Sequence, residues 1–164
     1  MYQASVPVFV RMLGNLSAIL QTAAASAEAR KIDPSVLINA RLAPDMFALA
    51  RQIQIATDGV KGGAARLAGI EVPSFPDTET TFPELQERIA KTVAFLNTIT
   101  AAQVDGSEEK TITLKVGPNE MSFPGQAYLL NFVIPNFYFH ITAAYLLLRH
   151  NGVAVGKMDY LGRA

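Results

Sequence analysis

The chain contains no cysteine. That absence excludes structural disulfides, thiolate catalysis, iron–sulfur clusters and every zinc site that depends on sulfur ligands. It also lacks charge of either sign in excess, with fourteen basic against fourteen acidic residues. No basic cluster supplies the footprint of a nucleic-acid or anionic-membrane binder, so neither partner is expected. The first residues, "MYQASVPVFVRMLGNL", lack the early basic residues and the small-residue cleavage site of a secretory signal, which makes a cytoplasmic protein the expectation. One stretch, residues 125–148, is read as long enough to span a bilayer. It carries Gln126, Asn131, Asn136 and His140, and polar groups inside hydrocarbon are costly. Two histidines, one of them near the end of a helix, exclude an argued Ser-His-Asp triad. Glycines 59, 62, 63 and 69 follow no strand and make no phosphate loop.

What is present is helical periodicity. The 164 residues suit a single domain over 1–164. Half of them are hydrophobic and only 17% charged, which leaves apolar surface for a copy of the same chain and points to a homodimer. Phe9, Met12/Leu13, Leu16, Ile19/Leu20 and Ala23 recur at three- and four-residue steps and predict a first helix from about Val6 to Ala29. A second helix carries Met46, Leu49, Ile53, Ala56, Val60, Ala64 and Leu67 along one seam, with Asp45 in its first turn and Gly69 ending it. The stretch "IEVPSFPDTETTFPEL" has no period and reads as a long crossing connection. A third helix follows on Phe82 or Leu85, Ile89, Val93, Leu96 and Ile99, ending near residues 103–106. Alternation around Gly117, Pro118 and Asn119 predicts a hairpin of Thr111–Val116 with Glu120–Phe123. A fourth helix spans 125–150 and is capped by Gly152. The tail is read as irregular, with Tyr160 and Leu161 as anchors. The fold class is therefore all-α, a four-helix bundle with a long crossover and a small β-hairpin between helices three and four.

The candidate site lies on the fourth helix. Leu129, Val133, Asn136, His140, Ala143 and Leu147 form one seam facing the bundle axis, so an amide and an imidazole one turn apart point inward. Pro135 cannot donate to the carbonyl of Asn131 and should bend the helix beside them. On the second helix, Phe47, Gln54, Asp58 and Lys61 form a more polar line. If it borders the same gap, Gln54, Asp58, Asn136 and His140 surround a pocket. That set suits a divalent metal held by His140 and Asp58, a small polar molecule, or a closed hydrogen-bond network.

The stretches "PNFYFHITAAYLLLRHNGVAVGKMDYLG" and "RLAPDMFALARQIQIATDGVKGGAARLAG" resemble an uncharacterised bacterial family of the DinB/YfiT-like superfamily, and the likeness runs over essentially the whole chain. The resemblance implies a four-helix bundle, often dimeric. Where members of the superfamily bind metal, it implies three histidine ligands, one on the second helix and an H-x-x-x-H pair on the last. The second histidine of that pair falls on His140, followed nine residues on by Arg149. The first falls on Asn136, and the helix-two ligand near Gln54, with Asp58 as the alternative. A divalent transition metal such as nickel, zinc or manganese is the cofactor implied, and a metal-dependent thiol transferase or hydrolase the activity implied.

Overall fold

A computed structural model describes residues 1–117 and 119–162. After a 3₁₀ turn at Tyr2–Ala4, helix α1 runs Val6–Ala29, started by Pro7, whose missing N–H is no loss in a first turn. Phe9, Leu13, Leu16, Leu20 and Ala23 are buried along its inner stripe, as the periodicity requires. Among the described residues, Tyr2–Ala29 is the one helix long and apolar enough to cross a membrane by length and composition alone. The sequence reading had placed that candidate in residues 125–148. The inward stripe of α1 is spent on the protein core.

A five-residue helix α2, Pro34–Ile38, interrupts the Pro-rich linker that the pattern left irregular. Asp33 caps it, its carboxylate accepting from the Ser35 amide at 2.9 Å. Helix α3 spans Leu49–Ala68 and ends at Gly69, whose φ of 72° is the left-handed conformation that glycine adopts without strain. Asp45 precedes this helix by several residues and is not in its first turn. Residues 70–81 form a strap without helix or strand. Helix α4, Phe82–Leu96, opens on a capping box in which Thr81 and Glu84 satisfy each other's backbone amides. It ends earlier than its stripe suggested, and a separate turn α5, Ala101–Val104, follows.

Strands β1 (Thr111–Val116) and β2 (Asn119–Pro124) pair antiparallel, Thr111 opposite Pro124, as a two-stranded sheet. Pro118, in the expected turn, lies outside the described residues. The last long helical segment has three parts: α6 (Gly125–Tyr128), a wide π turn (Leu129–Val133) and α7 (Ile134–His150). In the π turn the amide of Ile134 reaches back five residues to the carbonyl of Leu129. It sits immediately before Pro135, where the missing donor had predicted a bend. Helix α8, Lys157–Leu161, replaces the expected irregular tail. Tyr160 anchors it, its ring packed on the core edge-to-face with Tyr145 at 5.7 Å and its hydroxyl 2.9 Å from Thr142, while Asn15 donates to the Tyr160 carbonyl at 3.0 Å and Arg11 to that of Leu161 at 3.2 Å. The Leu161 side chain is exposed.

The fold is mostly helical with one small sheet, and α1, α3, α4 and α7 share a common core in which Leu20, Ile53, Leu85 and Phe137 are buried. α3 and α7 run antiparallel and very close. A β-carbon on Gly63 would come within 2.6 Å of Val133, and one on Gly59 within 3.2 Å of the Asn136 amide. Two missing side chains thus set the distance between the helices that carry the site.

Candidate functional site

Asn136 and His140 both turn toward α3, as the seam requires. Asn136 is half-buried over Gly59, and His140 is only 7% exposed. The partner of the imidazole is Gln52, whose Oε1 lies 2.7 Å from His140 Nδ1. Sequence reasoning missed this residue. Gln52 shares a stripe with Ala56, Gly59 and Gly63 at four-, three- and four-residue steps, the small-residue line against which α7 packs.

The hydrogen bonds around Gln52 assign the protonation of His140. The amide nitrogen Nε2 of Gln52 donates to the Phe47 carbonyl at 3.1 Å, and a carbonyl can only accept. That contact fixes the amide, so its oxygen faces the imidazole and accepts from Nδ1–H. Nε2 of His140 then carries a lone pair. Among the described residues nothing hydrogen-bonds it, and it is not among the fully enclosed unpartnered atoms, so it opens toward the surface. Burial, and next the positive charge of Arg51, hold the imidazole below its ordinary pKa of 6.5, so it is neutral at physiological pH. The ring of Phe139 lies edge-to-face with the imidazole, centroids 5.2 Å apart.

Gln54 and Asp58 belong to a second cluster on another face of α3. Its centre is Arg88 of α4, 2% exposed. Arg88 donates through Nε to Thr57 at 2.8 Å and through Nη1 to Glu79 at 2.9 Å and the Pro76 carbonyl at 3.1 Å. Its Nη2 stands 2.9 Å from both Asp58 and Asp77. Asp58 gives its other oxygen to Lys61 at 2.7 Å, and Gln54 donates to Glu79 at 3.0 Å while accepting from Arg51 at 3.3 Å. Arg51 also pairs with Asp77. Of the expected line, Gln54, Asp58 and Lys61 therefore look onto α4 and the strap, whereas Phe47 precedes α3 and is exposed, its carbonyl on Gln52, and the imidazole looks onto Gln52. Arg88 shares a buried stripe with Leu85, Thr92 and Leu96 at helical spacing, which places a charge on the inner face of α4.

The donor set does not fit the metal that the superfamily resemblance implied. Of the three positions only His140 is an imidazole, the others being amides, which bind transition metals poorly. Both oxygens of Asp58 are engaged by cations, so the expected His140–Asp58 pair is not formed. Among the described residues no three His, Asp or Glu side chains converge as a metal-ligating group.

The fold thus places one largely buried, neutral imidazole between two close helices, with Gln52 as its hydrogen-bond partner. The comparisons give the family. Residues 1–161 match the family described as domain of unknown function DUF1993, and the chain belongs to it. A crystal structure of a DinB family member protein from Shewanella denitrificans is 44% identical, covers 99% of this chain and 92% of its own, and superposes with a TM-score of 0.91. The chain is thus a DinB-like protein of uncharacterised function. No curated protein matches it.

Proposed function

We propose that the protein is a DinB/YfiT-type four-helix bundle that binds a small polar molecule at His140, recognising it by a hydrogen bond donated from the ligand to Nε2. The supporting observation is the chain of contacts from the Phe47 carbonyl through Gln52 to Nδ1–H, which leaves an acceptor at the surface end of the ring. A ligand N–H or O–H completes that chain, and the half-buried Asn136 amide one turn earlier offers it both a donor and an acceptor. The same lone pair accepts a weakly held divalent ion less well, because no carboxylate accompanies it.

The test is two-dimensional ¹H–¹⁵N NMR of the imidazole in tag-free protein. The expected spectrum has Nδ1 protonated and Nε2 bare at neutral pH. A screen of small alcohols, amides and ureas is expected to move the His140 Nε2 and Asn136 side-chain resonances together, and His140→Leu to abolish the response. A ring protonated on Nε2 would overturn the reading.

A second reading rests on the outer face of α7. Phe139 is 58% and Leu146 45% exposed, and with Leu42 and Met46 they line an open apolar groove of about 380 Å³. We infer that this face meets a second copy of the chain in a homodimer. Light scattering of Phe139→Lys/Leu146→Lys against the parent protein tests it, the variant being expected to run as a monomer.

A further inference from the structure

The strap between α3 and α4 is held by charge more than by packing. None of residues 70–81 is fully buried; Val72, Pro73, Phe75 and Glu79 are partly so. Its attachments are Asp77 on Arg51 and Arg88, Glu79 on Arg88 and Gln54, the Pro76 carbonyl on Arg88, and the Phe75 ring, whose centroid lies 4.0 Å from the Lys61 ammonium. An open pocket of about 270 Å³ lies against Phe75, Pro76, Thr78 and Arg88, so the strap is not packed on all sides.

The body beneath the strap is electrostatically incomplete. Arg51, Lys61 and Arg88 contribute three positive charges and Asp58 returns one negative, which leaves a surplus of two. Lys61 and Arg88 are 3% and 2% exposed, and buried cations without counter-charge are costly. Asp77 and Glu79 cancel the surplus in charge but not in geometry. Arg88 Nη2 is enclosed and makes no aligned hydrogen bond, although two carboxylate oxygens stand 2.9 Å from it. Nη2 is thus neutralised without an aligned acceptor, and a carboxylate presented in the guanidinium plane would supply one.

We propose that Asp77 and Glu79 are a tethered stand-in for a small dicarboxylate, and that Arg51, Lys61 and Arg88, with the Gln54 amide, form a second ligand site that opens when the strap is displaced. Two carboxylates separated by one residue fix the ligand class: a short dianion that sets one carboxylate between Arg51 and Arg88, as Asp77 does, and the other on Arg88 and Gln54, as Glu79 does. A monocarboxylate replaces only one tethered group and competes poorly with a neighbour at high local concentration. In the outer pocket Lys91 is paired with Glu87, and Glu84 remains to repel an anion, which favours the α3 side for the ligand.

The experiment compares the full-length protein with Asp77→Asn/Glu79→Gln, using succinate as probe and acetate, succinamide and inorganic phosphate as controls at equal ionic strength. In the unsubstituted protein, hydrogen exchange of strap amides 72–79 is expected to rise about threefold or more in succinate and not in succinamide. The double variant is expected to melt lower and to bind succinate at least about tenfold more tightly than the parent, because its own competitor is gone. Adding Arg51→Gln is expected to remove that gain. Unchanged strap exchange in the parent overturns the proposal even if the variant fails to fold. Equal responses to acetate or phosphate overturn the dicarboxylate assignment.

Discussion

Replacing Arg88 with methionine is the sharpest test of how the molecule is held together. The side chain is 1% exposed and stands between three carboxylates, Asp58, Asp77 and Glu79, whose side chains are 40%, 36% and 11% exposed. Methionine fills much of the volume, so the loss is electrostatic rather than a cavity. Removing one side of a buried ion pair costs about 3–5 kcal/mol. Here Asp58 keeps Lys61 and Asp77 keeps Arg51, and both already reach water, so only Glu79 loses its cation, which argues for the low end, about 3 kcal/mol. An unfolding entropy of about 2.1 cal/mol/K per residue gives roughly 0.34 kcal/mol/K for a chain of this length, so the melting temperature should fall by about 9 °C. Urea unfolding followed by circular dichroism measures the same loss with the slope unchanged. Arg88→Lys keeps the charge without the planar fork and should lose about half as much. A loss below about 1 kcal/mol for Arg88→Met would refute the reasoning, since the carboxylates would then be solvated and Arg88 not their anchor.

Three further outcomes are expected. Gln52→Leu strands the Nδ1–H of His140 and should cost about 1–3 kcal/mol in urea, with the ring moving to its other tautomer by NMR. His140 titrates below 6.5 in the folded chain, so from about pH 6.5 down to its lowered pKa the unfolded state binds a proton that the native state does not. Stability should therefore decline as pH falls through that window, and His140→Gln should flatten the profile there. The depressed carboxylates Asp33, Glu84 and Asp105 act separately: their contribution is complete above their unfolded values of 3.8, 4.5 and 3.8 and is lost as pH falls through the lower folded ones. Gly125→Ala drives a β-carbon into the Ser107 carbonyl and should cost ~3 kcal/mol or more, because backbone cannot yield as a side chain does; thermal melting measures it.

The long helices were legible because burial in this chain follows the 3.6-residue period with few exceptions. Every residue of the α1 stripe is buried, and so is the second-helix seam from Leu49 to Leu67. The inward turn of Asn136 and His140 could be read for the same reason. What the period does not reveal is which flank of a neighbouring helix a polar residue faces. Gln54 and Asp58 group with the imidazole because they are polar and one turn apart, whereas Gln52 falls on neither the apolar seam nor that polar line. The small residues Ala56, Gly59 and Gly63 were the informative signal, since helices approach most closely where side chains are missing. The strap could not be placed from the sequence at all. Its position depends on pairings between residues up to 26 apart, Arg51 with Asp77 for example, and a local pattern carries no record of them.

The π turn at Leu129–Val133 works as a phase shifter. By holding one residue more than α-helical winding would, it rotates everything before it by roughly 100° relative to everything after it. The aromatic group of Phe123, Tyr128 and Phe132 on one side and the imidazole on the other are thereby set at independent angles around a shared axis. A chain shortened by a single residue within that turn would still wind as a helix, but it would aim the two groups differently, so a one-codon deletion is enough to change what this end of the molecule presents.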